Sequence, residues 1–170
     1  MRTVGKFRVL GSPTPLMSML DGTPAKNLLG CGDPCVVRFE DRWTMFVGGF
    51  QTNFKNNLFA LQSPEHAALD SDAWQFVGER GRATPLISQP DRTSWDHFGL
   101  HTPSYVRGEV GGVPVERIFY AGRGSTRVVD NTTPYSIGVL TRREGAWHRH
   151  PDPVLTGTGD SPNVLEPKAA

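Results

Sequence analysis

The chain has 170 residues, with 18 basic and 17 acidic side chains and a net charge of +1. These charges are mixed along the sequence and form no basic stripe, so a nucleic-acid partner is not expected; no apolar run approaches the roughly 18 residues of a membrane span, so no membrane partner is expected either. Gly 19 and Pro 14 are high and fall between short apolar runs, which is how turns are distributed in an all-β protein.

The N-terminus, Met1-Arg2-Thr3-Val4-Gly5-Lys6, carries charge with no apolar segment behind it, so no secretion signal is visible and the location is left as cytoplasmic or unknown. The first strand signal is Asp33-Pro34-Cys35-Val36-Val37-Arg38-Phe39. Trp43-Thr44-Met45-Phe46-Val47-Gly48-Gly49 follows, then Phe59-Ala60-Leu61, then an outer strand starting near Trp74, then Pro85-Leu86-Ile87. Such runs, rich in β-branched and aromatic residues and bounded by Gly, Pro, Asn and Asp, are strand signals. The best helical candidate, Pro64 to Leu69, amounts to about a turn and a half. Cys31 and Cys35 lack Cys-x-x-Cys spacing and are expected to be small, partly buried free thiols.

The same order then recurs. Thr102-Pro103-Ser104-Tyr105-Val106-Arg107 is followed by Arg117-Ile118-Phe119-Tyr120-Ala121-Gly122, then Ile137-Gly138-Val139, Trp147 and Pro153-Val154-Leu155. Pro34 answers to Pro103, Gly49 to Gly122, Ser63 to Thr141, Trp74 to Trp147 and Pro85 to Pro153. Leu165-Glu166-Pro167-Lys168 opens the pattern a third time. Self-similarity with a period of about 65 to 70 residues and four strands per unit predicts propeller blades with generous loops. Blade one covers about 31–88, blade two about 99–156, and a third begins at about 162–170, all in one partial domain over 1–170. Val36-Val37 and Tyr105-Val106 are expected on inner strands buried on both faces, and the indoles of Trp74 and Trp147 between neighbouring blades.

The run Asp-Pro-x-Val-Val-Arg, an acidic turn, an aromatic-Met-Phe strand, a Gly pair, a strand ending in Ser or Thr, then Trp and Pro-Leu-Ile resembles the five-bladed β-propeller glycoside hydrolases. These are the arabinanases, β-xylosidases and arabinofuranosidases of glycoside hydrolase family 43, with the related invertases and levansucrases. The resemblance covers about residues 30–170 and the N-terminal half of the family's propeller. It implies hydrolysis of arabinosyl, xylosyl or fructosyl linkages and a carbohydrate ligand; no cofactor and no metal is expected. It also implies three carboxylates at the channel mouth, one from each of the first three inner strands: a base or nucleophile, a carboxylate that tunes the acid, and a general acid. Asp33 falls on the first position and Glu166 on the third. The second would follow Pro103, where this chain has Ser104; Asp96 is the nearest substitute.

The chemistry needs carboxylates in unlike protonation states, one ionised to attack or activate water and one protonated to serve the leaving oxygen. Trp43, Phe50 and Trp95 are candidates for stacking on sugar rings, and Arg123 for reaching the channel. The loops Gln51 to Asn57 and Gln89 to Leu100 are expected to shape selectivity. His97 and His101 have no third ligand at a recognisable spacing for a metal. His148 and His150, flanking Arg149, fall on an outer strand facing water.

Two further expectations concern assembly. A five-bladed ring at this period needs roughly 300 to 350 residues, so the chain is read as a fragment, an expectation its mid-repeat ending favours, or as one half of a homodimer that completes the propeller. The alternative function is a non-catalytic carbohydrate-binding or assembly module lacking the full carboxylate triad.

Overall fold

The computed structural model describes residues 25–39, 42–69, 73–124 and 134–168. The charged N-terminal stretch and Ala169-Ala170 lie outside the described residues. Among the described residues the chain is all-β, without a helix, and Pro64–Leu69 is a turn and irregular backbone.

β1 (Leu28–Phe39), β2 (Arg42–Gln51), β3 (Asn56–Gln62) and β4 (Gln75–Phe76) form one antiparallel four-stranded sheet in chain order. After the small hairpin of β5 (Gly78–Glu79) and β6 (Arg82–Ala83), the strands β7 (Gly99–Val110), β8 (Val113–Arg123), β9 (Ser136–Arg143) and β10 (Ala146–Arg149) repeat that meander. The turns are local: Arg80-Gly81, Gly111-Gly112 and Glu144-Gly145 all take positive φ, with glycine supplying it where a side chain would be strained.

The two sheets match position by position. In β1 the register slips between Gly32 and Cys35, and in β7 between His101 and Ser104, so Pro34 and Pro103 occupy the same bulge. From there Met45, Val47 and Leu61 of the first sheet correspond to Ile118, Tyr120 and Leu140 of the second. Pro85 and Pro153 precede equivalent bonds, Leu86 N–H to Leu58 O and Val154 N–H to Ile137 O. One sequence pairing needs correction: by register Thr141 corresponds to Gln62, and Ser63 to Arg142, because the turns preceding β3 and β9 differ in length.

The main core lies between the sheets. Phe46, Leu58 and Ala60 from the first pack with Leu100, Ile118, Tyr120 and Leu140 from the second, and burial of each large side chain contributes about 1.5–3 kcal/mol. Phe46 stacks on Tyr105 at 5.6 Å and meets the edge of Trp147 at 6.0 Å, so Trp147 does wedge between the sheets. Trp74 packs instead on the outer face of the first sheet with Leu28, Val47, Phe59 and Leu61. An apolar groove of about 260 Å³ runs along that face, lined by Cys31, Pro34, Met45, Val47, Leu61 and Trp74. Cys31 and Cys35 are half-buried thiols, and burial raises the Cys31 thiol pKa.

The inner strands are not buried on both faces as the sequence predicts: Val36 is 38% exposed and Val37, Tyr105 and Val106 are half-buried, because among the described residues each four-stranded sheet has the other packed on one of its faces only. Gly138 marks a close approach: a β-carbon there would fall within the Tyr120 ring. Gly138→Ala is therefore expected to displace the most bulky fully buried side chain and to destabilise by about 1–3 kcal/mol, read as a lower urea midpoint.

Candidate functional site

Asp33, Thr102 and Glu166 each precede a proline, and each has a left-handed backbone, with φ of 55°, 46° and 53°. That conformation is uncommon for non-glycine residues and costs of order 1–3 kcal/mol. It recurs at matching positions of the two sheets, Asp33 and Thr102, and again at Glu166. At Asp33 and Thr102 the backbone leaves the regular ladder at a bulge, whereas residues 162–168 form no strand, so the first strand expected for a third blade is not formed over these residues.

The three segments converge on one open cleft of about 290 Å³, lined by Asp33-Pro34-Cys35, Thr102-Pro103-Ser104 and Glu166-Pro167-Lys168. Asp33, Glu166 and Lys168, the first far from the other two in sequence, thus line a common space. Gly48, opposite Gly32 on β2, lies beside Asp33. A β-carbon at Gly48 would lie 3.9 Å from Asp33 Oδ2 and 3.6 Å from His101 Cα. Thr102 occupies the position that is acidic in the other two segments. Its hydroxyl is buried without a hydrogen-bond partner among the described residues. Ser104, at the position after Pro103 where the resemblance puts the second acid, lines the cleft as well, and the backbone matches Thr102, before the proline, to Asp33. The signal was available, since Asp33 and Glu166 both precede their prolines. Lys168 was also missed, lying past the last recognised landmark.

Asp96 stands elsewhere. It is fully buried, accepts the Tyr120 hydroxyl at 2.6 Å and pairs with Arg149 Nη1 at 3.2 Å. It does not line the cleft. Arg149, between the exposed His148 and His150, supplies the countercharge and also donates to Ser94 Oγ. Burial, then the neighbouring Asp96 charge, pushes the Tyr120 phenol far above its ordinary range. Trp95 stacks on Tyr120 at 6.0 Å and donates its indole N–H to Pro151 O, so its ring faces are used in packing. Trp43, opposite Arg38 near the other end of β2 from Gly48, packs against the outer cluster of the first sheet. Arg123, opposite Gly99 at the end of β8, lies over the Tyr135 ring at 5.3 Å. Phe50 lies on the cleft side of the first sheet, two residues beyond Gly48 on the same strand face, and is 37% exposed.

His101, beside Thr102, is buried against Gly99 and meets the Tyr135 ring at 5.7 Å. Burial, with the Arg123 charge adding to it, holds its imidazole down at about 4. The ordinary histidine value is about 6.5. The unfolded chain therefore binds this proton first. The stabilisation is complete above about pH 6.5 and is lost as pH falls through 4, a span worth about 3 kcal/mol. His101→Gln is expected to flatten the pH dependence of Tm between pH 6.5 and 4, measured by thermal melts in a buffer series. Among the described residues no group of histidine, cysteine and carboxylate side chains has the arrangement of a metal site.

No known family model matches this sequence, and none of the curated proteins is similar to it at the sequence level. Similarity appears in three dimensions. A solved structure described as a glycoside hydrolase superposes with a TM-score of 0.51 at 15% identity, over 84% of this chain. The chain spans 46% of that protein's length. At this identity the match shows a glycoside hydrolase-like fold.

Proposed function

We propose that this chain is part of a five-bladed propeller glycosidase of the family 43 type, acting on arabinosyl, xylosyl or fructosyl linkages. In this reading Asp33 is the base or nucleophile and Glu166 the general acid. The observation that carries it is the convergence of Asp33 and Glu166, from equivalent points of the first and third repeats, on a single open cleft. The fold of the structural neighbour supports the same reading. Hydrolysis would run with Asp33 ionised, attacking the anomeric carbon or drawing a proton from water. Glu166 would deliver its proton to the departing oxygen as the glycosidic bond breaks.

A second reading, a carbohydrate-binding or assembly module without turnover, draws on Thr102 and Ser104. The second segment brings no acid to the cleft, and Asp96 is occupied by Tyr120 and Arg149. A panel of 4-nitrophenyl α-L-arabinofuranoside, β-D-xyloside and β-D-fructofuranoside separates the two. Release of nitrophenol that disappears in Asp33→Asn supports the hydrolase; sugar binding with no release supports the module.

Assembly belongs to the same proposal. The outer face of the first sheet uses the positions by which the second sheet grips the first, and its apolar groove fits another sheet of this repeat. A second copy is our proposed occupant, making a homodimer that walls the cleft. Light scattering on a sizing column tests it, with a mass of twice 18.7 kDa as the expected result.

A further inference from the structure

Beyond the carboxylate cleft, the tip of the β2–β3 hairpin holds an aromatic surface that the core does not use. Phe46, Gly48 and Phe50 follow one another along a single face of β2. Phe46 is in the core, Gly48 sits by Asp33, and Phe50 emerges at the rim, about 7 Å beyond Gly48 at the usual rise of a strand. Phe54 meets Phe50 edge-on, with centroids 6.0 Å apart, and is 71% exposed.

Phe54 also holds a left-handed backbone, φ 62°, a conformation a bulky aromatic rarely adopts. Glycine or asparagine would suit this turn better, so the ring at this point is not explained by the turn itself. The tip is braced. Asn56 N–H donates to Phe98 O at 3.2 Å, Gln51 Nε2 to Gln89 Oε1 at 3.1 Å, and Lys55 Nζ lies 5.2 Å from the Phe98 ring centre. A ligand stacking on a surface held in this way meets little ordering cost.

We infer that Phe54, supported by Phe50, is a stacking platform for a sugar ring remote from the scissile bond, so that the site takes oligosaccharide chains. The inference rests on the carbohydrate reading of the cleft. A flat, apolar ring face beside side-chain amides suits a pyranose or furanose, which presents C–H bonds on its face and hydroxyls at its edge. Continuity with the Asp33 side of β2 sets the direction in which the sugar chain would lie.

Calorimetric titration tests this with arabinohexaose, xylohexaose and an inulin-type fructohexaose against arabinose, xylose and fructose. The background is Asp33→Asn, which suppresses turnover. One hexasaccharide is expected to bind. Phe54→Ala should weaken that binding about tenfold, the effect of losing one good aromatic contact, with the matching monosaccharide unaffected. Phe54→Trp should restore it and Phe54→Leu should not. Unchanged Tm in all three variants excludes a folding effect. Hexasaccharide affinity within twofold of the parent in Phe54→Ala overturns the platform, as does a parent that binds none of the hexasaccharides. The two readings fail separately. Asp33-dependent release of nitrophenol with no Phe54 effect sinks the platform alone. Phe54-dependent binding without any hydrolysis sinks the hydrolase alone.

Discussion

Asp96→Ala is expected to lower stability by about 3–5 kcal/mol, the cost of leaving one member of a buried ion pair without its partner. The carboxylate is fully buried and its two partners come from different strands, Tyr120 on β8 and Arg149 on β10. Removing it strands a guanidinium whose side chain is only 20% exposed and a phenol that is completely buried. Domains of this size are stable by only about 5–15 kcal/mol, so the variant sits near the edge of folding. Asp96→Asn keeps an acceptor for the Tyr120 hydroxyl and should fall between parent and Ala. Tyr120→Phe leaves the ion pair in place and should cost about 1–3 kcal/mol. Urea midpoints at constant m-value measure all three. A loss below about 1 kcal/mol in Asp96→Ala would show that water reaches the pair and that its strength is that of a surface contact.

Asp33→Asn is expected to reduce hydrolysis by at least 10²- to 10⁴-fold, the usual contribution of a positioned acid or base, while leaving the urea midpoint near the parent's. The reason for preserved stability is local. Asp33 has φ 55°, and asparagine is the residue besides glycine that most readily adopts that conformation. Glu166→Gln should behave differently. A nitrophenolate departs without needing a proton, so aryl glycosides should lose less activity than oligosaccharides do. The alkaline limb of the pH–rate profile should also disappear, since that limb reports the acid. Equal losses on both kinds of substrate would remove Glu166 from the acid's role. Asp33→Asn with parental activity would remove Asp33 from the mechanism.

The repeat was legible because it is written in residue types with strong local meaning. Pro34 and Pro103 mark the bulges, Trp74 and Trp147 the outer strands, and the apolar runs between them the ladders. What could not be read was set by partners distant in sequence. Asp96 reads as a polar loop residue until Arg149 and Tyr120 fold around it. Trp43 and Trp95 read as free aromatic faces until one packs in the outer cluster and the other stacks on Tyr120. The slip at Ser63 came from unequal loop lengths, which leave residue spacing intact within strands and unreliable between them. Asp33 and Glu166 could be placed at repeat boundaries, yet their common cleft depends on a left-handed turn that no propensity announces. The same turn identifies Thr102 as their counterpart.

Each unit has two unlike sides: one carries Phe46, Leu58 and Ala60, the other uses positions such as Ile118, Tyr120 and Leu140 to receive them. An interface built from unlike sides is heterologous, head to tail, and cannot satisfy itself by a two-fold turn at a single contact. It propagates with a fixed rotation per unit. If that rotation divides a full circle the series closes on itself, and if it does not the series runs on as a helical filament. Two copies of this chain would therefore need two such contacts, both of the same hand, and a dimer joined through only one would still present a free side at each end for the next copy.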